Sequence, residues 1–263
     1  MATLGWIVAS CLLGGVLSVS AAAAMAYRAR PSAVPVLVSY SVGALLGAAF
    51  LAVLPHALEA LASPTALGTS VLAGLLVFFV LEKLVLWRHQ HAPQWGEDQR
   101  HADHKHVHPA AGGRSGMLIM IGDTVHNFVD GILIAAAFLA DTQLGIVTAL
   151  AIMAHEVPSE VGDFLILLHS GYSRRRALAV NLASSAAMVL GGLLGYVALN
   201  ALQAWIPALL GFVAASMIYV AVADLIPGLH RRPELAATVQ QVLLIGLGIA
   251  TIYLVRIMLG PAH

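Results

Sequence analysis

Charge is scarce in this chain. Lys and Arg number 13 and Asp and Glu 13, together 10% of 263 residues, with a formal net charge of zero. No bulk field is therefore available to attract nucleic acid. Cysteine occurs once, at Cys11, which excludes an intrachain disulfide and a thiolate metal cluster. No GxxxxGK[ST] sequence occurs, so nothing points to ATP coupling. What is abundant is apolar: 60% of the residues are hydrophobic. A soluble domain this apolar would have too few polar groups to cover its surface, so the fold class expected is all-α, a polytopic membrane protein.

Eight apolar spans are read, over residues 4–27, 34–61, 67–87, 117–139, 143–169, 177–202, 206–229 and 238–259. Each reaches the roughly 20 residues a bilayer requires, and the need to satisfy every backbone polar group without water makes them helices. They form one transmembrane domain over 1–263. The first span resembles a cleavable leader at Ala21–Ala24, but no basic residue precedes it and Arg28 and Arg30 follow, so a true first helix is expected.

The missing basic residues set the topology. Arg28, Arg30, Arg88, Arg100, Lys105, Arg114, Arg174, Arg175, Arg176, Arg231 and Arg232 all fall in the first, third, fifth and seventh connections; the second, fourth and sixth have none. The positive-inside rule then makes the odd connections cytoplasmic and puts both termini outside, an arrangement compatible with a bacterial inner membrane. The third connection, 88–116, is the one sizeable soluble segment. It carries His89, His91, His101, His104, His106 and His108 among polar residues, is too poor in apolar residues to fold alone, and reads as a weak, exchangeable metal-binding tract.

Two spans break the apolar rule. The fourth contains GDTVHNFVDG (122–131) and the fifth HEVPSEVGD (155–163). At about 100° per residue, Asp123, His126, Asn127 and Asp130 share an arc of about 100°, and His155, Glu156, Ser159, Glu160 and Asp163 one of about 140°. Five acids facing lipid, at roughly 2.5–3.5 kcal/mol each, would prevent insertion, so both stripes face the interior or water. Neither helix supplies Lys or Arg as a counter-charge. A divalent transition metal is the simplest missing partner for this His and carboxylate set. His126 and Asp130 lie at i and i+4, as do His155 and Ser159, so each helix can offer an imidazole and one or two carboxylates to a shell of four to six ligands.

Other polar residues are more conservatively read. Pro158 opposes the carbonyl of Ala154, so a kink and a freed carbonyl are expected beside the site. Gly122, Gly131 and Gly162 are expected to admit neighbouring helices. Asn181, Ser184 and Ser185, in a sixth span rich in small residues, could each donate an oxygen ligand but are read first as packing positions. His56 and Glu59 fall near the outer end of the second span and Asp224 near the inner end of the seventh, where they are capped or snorkelling groups or line an entrance and an exit.

Taken together these residues resemble the ZIP (Zrt/Irt-like) family of metal transporters. His126–Gly131 matches an HNxxDG motif, and HEVPSEVGD is similar to the HExPHExGD motif of one branch. The resemblance implies a 3+2+3 helix bundle, often dimeric, in which one bundle slides against another and moves metal into the cytoplasm. It implies His126, Asn127, Asp130, His155 and Glu156 as ligands, Ser159 lining the site, and Glu160 and Asp163 as the later acids of the motif; Asp123 would orient His126. The transported ion would be Zn2+, with Fe2+, Mn2+ or Cd2+ as further candidates, and no prosthetic group or enzymatic activity is expected. Ser159 departs from the motif, which has histidine there, and serine is the poorer metal ligand. The alternative is an intramembrane metalloprotease, because His155-Glu156 begins an HExxH sequence; its second histidine is replaced by Ser159.

Overall fold

The computed structural model describes residues 2–28, 34–61, 63–90, 109–230 and 234–260, and every regular element among them is helical. In chain order these are α1 (Ala2–Arg28); α2 (Val34–Ala48), running through a π-helical segment (Ala49–Val53) into α3 (Leu54–Leu61); α4 (Pro64–Gln90); α5 (Pro109–Ala140); α6 (Thr142–His169); and α7 (Arg174–Ala201). A 3-10 turn (Gln203–Trp205) then leads into α8 (Ile206–Tyr219), which runs through a second π-helical segment (Val220–Leu225) into α9 (Ile226–Leu229), and α10 (Leu235–Leu259) ends the described chain.

Eight stretches are long and apolar enough to cross a membrane, with α2–α3 and α8–α9 each counting as one crossing. They coincide with the eight expected spans to within a few residues. The third connection is shorter than expected, because α4 continues to Gln90 and α5 begins at Pro109. His91, His101, His104, His106 and His108 of the histidine-rich tract lie outside the described residues.

Local chemistry explains the breaks between helices. Asp141 caps α6, its carboxylate accepting from the Leu144 amide at 2.9 Å, and Ser173 caps α7 through Arg176. Between them Gly171 adopts φ 87°, which suits a residue without Cβ. The two π segments have a shared cause: each ends just before a proline, Pro55 or Pro227, whose missing N–H interrupts the regular ladder.

The helices pack in two groups. One contains α1, α5, α6 and α7; in the other, α2 packs on α10 and α4 on α8. The groups meet where α2 lies against α6 and where α5 lies against α8. Glycine sets the tightest crossings in both. A Cβ on Gly131 would strike the Met188 carbonyl and one on Gly191 the Phe128 carbonyl, fixing α5 against α7. Gly43 and Gly248 do the same for α2 against α10, at the carbonyls of Ile245 and Tyr40. Gly162 differs from expectation: a Cβ there would meet nothing within 4 Å, so it brings no helix closer. α6 is enclosed along most of its length, whereas α4 and α10 expose Leu72, Leu76, Leu243, Leu247 and Leu254 on the rim. The helix with the densest polar stripe therefore runs through the interior.

Candidate metal site

The two polar stripes face each other across the α5–α6 contact. His126 Nε2 lies 3.1 Å from His155 Nε2, with the rings edge to face. Asp130 Oδ2 is 3.7 Å from His126 Nε2 and 3.3 Å from His155 Nε2. Glu156 Oε1 is 3.6 Å from the first and 3.4 Å from the second. Asp130, His155 and Glu156 are buried, and His126 is half-buried. Among the described residues this is the one group of three or more such side chains whose ligand atoms all fall within 4.8 Å of one another.

The spacings have a chemical meaning. Zinc bonds of 2.0–2.1 Å in a tetrahedron place neighbouring ligand atoms about 3.3–3.4 Å apart. The five distances above bracket that edge. Asp130 Oδ2 and both Glu156 oxygens have no hydrogen-bond partner despite their burial. Three buried carboxylate oxygens without a hydrogen bond, on Asp130 and Glu156, beside two imidazole nitrogens favour a cation strongly, since a buried anion without a counter-charge is expensive.

Asn127 is held differently. Its amide nitrogen donates to Asp123 O at 3.2 Å and Asp123 Oδ1 at 3.1 Å, which leaves its buried Oδ1 without a partner. Asp123 is itself fixed, Ser184 Oγ donating to its Oδ2 at 2.5 Å. Asp123 thus holds Asn127, a contact that the sequence reading of Asp123 as orienting His126 did not include. Glu160 stands one turn beyond Glu156 and is held by α7, with Ser185 Oγ donating to Oε1 at 2.7 Å and Asn181 donating to its backbone carbonyl at 3.2 Å. Asp163 faces Asp123. Ser159 is half-buried on the same helix.

Three residues read as packing positions therefore do more. Asn181, Ser184 and Ser185 are buried and bond the acid-bearing helices, and the glycines below them provide the close approach. The signal was present in the spacing: 181, 184, 185, 188, 191, 192 and 195 form one stripe at helical intervals, so its polar members had to face the same neighbour as its glycines. The carbonyl that Pro158 frees also has a partner: Ser41 of α2 donates to Ala154 O across the seam between the two helix groups. His56 and Glu59 are not at this site, and lie near the opposite end of α6. Asp224 is exposed, on the side of the histidine pair towards the connections that carry the arginines.

The comparisons agree with what this geometry can bind. The family model described as ZIP zinc transporter matches residues 2–114 and 87–256. Zinc transporter ZIP13 of Pongo abelii is 32% identical over 239 residues, covering 83% of this chain and 65% of the relative. Zinc transporter ZIP13 of Mus musculus is 32% identical, covering 84% and 69%. Zinc transporter YKE4 of Saccharomyces cerevisiae is 29% identical, covering 73% and 60%. The chain thus spans about two thirds of the length of these relatives. Eight membrane-spanning helices, a paired histidine and carboxylate cluster at their centre, and a match along nearly the whole chain lead to one conclusion: this multi-pass membrane protein belongs to the ZIP zinc transporter family.

Proposed function

We propose that this chain moves Zn2+ across the membrane into the cytoplasm, with His126, Asp130, His155 and Glu156 as the ligands of the transported ion. The observation that carries the reading is the ring of four donor atoms at near-tetrahedral spacing with unpartnered carboxylate oxygens. Asn127 Oδ1 is available as a fifth donor, and Fe2+, Mn2+ or Cd2+ would use it more readily than four-coordinate zinc.

The surroundings favour release towards the arginine-bearing face. On the other side of His155, α6 presents Leu144, Val147, Thr148 and Ala151, all buried. On the arginine side follow Glu160, half-buried Asp163 and exposed Asp224, acids that can hold a leaving cation in turn. With the odd connections cytoplasmic this direction is inward, and the two helix groups meeting at α2–α6 and α5–α8 are the bodies whose relative movement would expose the site to each side alternately. The same reading includes the 3+2+3 order of the spans, a single transport domain, a histidine-rich loop over 88–116 that collects released metal, a homodimer, and a bacterial inner membrane with both termini outside. It assigns no enzymatic activity: HExxH chemistry needs a second histidine where Ser159 stands.

Metal entry into proteoliposomes, followed with a trapped zinc-sensitive dye, tests the reading. Wild-type protein should load the vesicles, and His126→Ala and His155→Ala, if folded and inserted, should not. Absence of uptake by well-folded wild type at every gradient and pH would overturn it. Reporter fusions at either end check the orientation, and cross-linking in membranes checks the dimer.

A further inference from the structure

A second cluster of ligand-type side chains lies at the face opposite the arginine-bearing connections. Glu59 and Asp141 are the two described acids nearest that face, and although 82 positions separate them in sequence both line one cavity of about 170 Å3. His56 joins them from the turn of α3 preceding Glu59, and Gln143, Arg256 and Gly260 complete the polar lining. A cavity of that volume has room for several water molecules.

The charges are arranged for a cation. His56 and Glu59, at i and i+3, share one face of α3. Asp141 commits one oxygen to the cap of α6. The C-terminus of α10 ends at Leu259, beside the cavity, and turns the negative end of its dipole there. Arg256 is drawn elsewhere: its guanidinium donates to the carbonyl of Leu51, the group four residues before Pro55, and it forms no ion pair with Glu59 or Asp141. Gln143 donates to the Leu259 carbonyl at 2.7 Å, tying α6 to α10 at this mouth.

The location matters as much as the chemistry. Ala52, Leu144 and Val147 form the apolar wall, so the cavity opens onto the seam between α2–α3 and α6. Val147 precedes His155 by eight residues, about 12 Å along the helix. The cavity and the histidine pair thus occupy one seam, with buried Thr148 and Ala151 between them.

We propose that His56, Glu59 and Asp141 form a second, weaker divalent-cation site, which loads metal at the outer mouth of this seam. The three groups stand wider apart than those of the histidine site, so they hold a partly hydrated ion, through water as well as directly. Such an ion exchanges readily and can be passed on when the seam opens. The loading role rests on the transport reading above; the binding does not.

Zinc binding to the full chain in lipid nanodiscs, measured by equilibrium dialysis with radioactive Zn2+, tests the site. In a His126→Ala/His155→Ala background, adding His56→Gln and Glu59→Gln should remove one bound equivalent per chain, while the histidine-rich loop contributes equally to both proteins. Asp141→Asn, which keeps the helix cap, should weaken the same equivalent without lowering thermal stability. Unchanged stoichiometry and affinity in these variants overturn the proposal. With both histidines intact, Glu59→Gln should show an uptake deficit that grows as external Zn2+ is lowered. A deficit of equal size at every concentration overturns the loading role. Loss of the equivalent in a protein that never transports would leave the site standing and remove the transport reading instead.

Discussion

In the proposed site, Asn127 shows how neighbouring side chains can leave one oxygen free to act as a donor. Its amide nitrogen is occupied by Asp123, so its oxygen points away unpartnered, and Asp123 in turn depends on the Ser184 hydroxyl. Removing an outer partner of a metal ligand typically costs about 10- to 100-fold in affinity. Ser184→Ala should therefore weaken metal binding by about that factor while leaving the fold intact, as measured by zinc titration against circular dichroism. Ser159 invites the opposite change. Ser159→His places an imidazole one turn from His155, at the spacing that joins two ligands on a helix face. Tighter zinc binding with slower turnover is expected, measured by titration and by uptake, together with a fall in Fe2+ or Mn2+ transport relative to Zn2+, because added nitrogen ligands favour zinc.

At the scale of elements, the helix contacts divide glycines by consequence. Gly131→Ala and Gly191→Ala each drive a methyl group into a backbone carbonyl of the partner helix, so α5 and α7 must separate. Overpacking of this kind costs about 1–3 kcal/mol. Gly162→Ala meets open space inside a helix, where alanine is favoured by up to about 1 kcal/mol. Melting followed by size-exclusion of the detergent-solubilised protein should rank Gly162→Ala at or above wild type and the other two well below it. Pro158 and Ser41 form a matched pair. Ser41→Ala strips the Ala154 carbonyl of its partner, at about 0.6–1.7 kcal/mol for an interhelical hydrogen bond in a membrane. Pro158→Ala returns an N–H to that carbonyl, so the cost of Ser41→Ala should shrink in its presence, which a double-mutant cycle measures directly.

At the scale of the whole molecule, the proposed release towards the arginine-bearing face can be read with single thiols. Cys11 is the only native thiol and is buried, so introduced cysteines can be read cleanly. Ser159→Cys should react with an impermeant thiol reagent applied from the arginine-bearing face, and Zn2+ should protect it. Thr148→Cys, fully buried on the other side of His155, should stay unreactive from both faces in this conformation. Proton competition acts on the molecule as a unit. Zinc needs its imidazoles and carboxylates deprotonated, so binding releases protons and affinity falls as pH is lowered. Zinc titrations across a pH series should show a dissociation constant rising steadily towards acid; a pH-independent constant would mean that the histidines and carboxylates are not the ligands.

Much of this protein is determined by its sequence alone. Eight apolar runs and a one-sided distribution of Arg and Lys determine helices and their alternation, because a bilayer admits no other backbone solution and charge is costly to translocate. The pairing of His126 with Asp130 at i and i+4 is equally local, a matter of helical period, and Glu156 directly follows His155 in the chain. What crosses between helices was not available there. That Asn181, Ser184 and Ser185 meet Asp123 and Glu160, that Ser41 meets Ala154, and that Glu59 and Asp141 line one cavity depends on how rigid helices dock. Docking is set by a few glycine contacts between distant segments, and the period of any single helix carries no record of its neighbour. The tertiary structure alone also decided the five distances around the histidine pair, since a helix wheel gives direction but not separation between two helices.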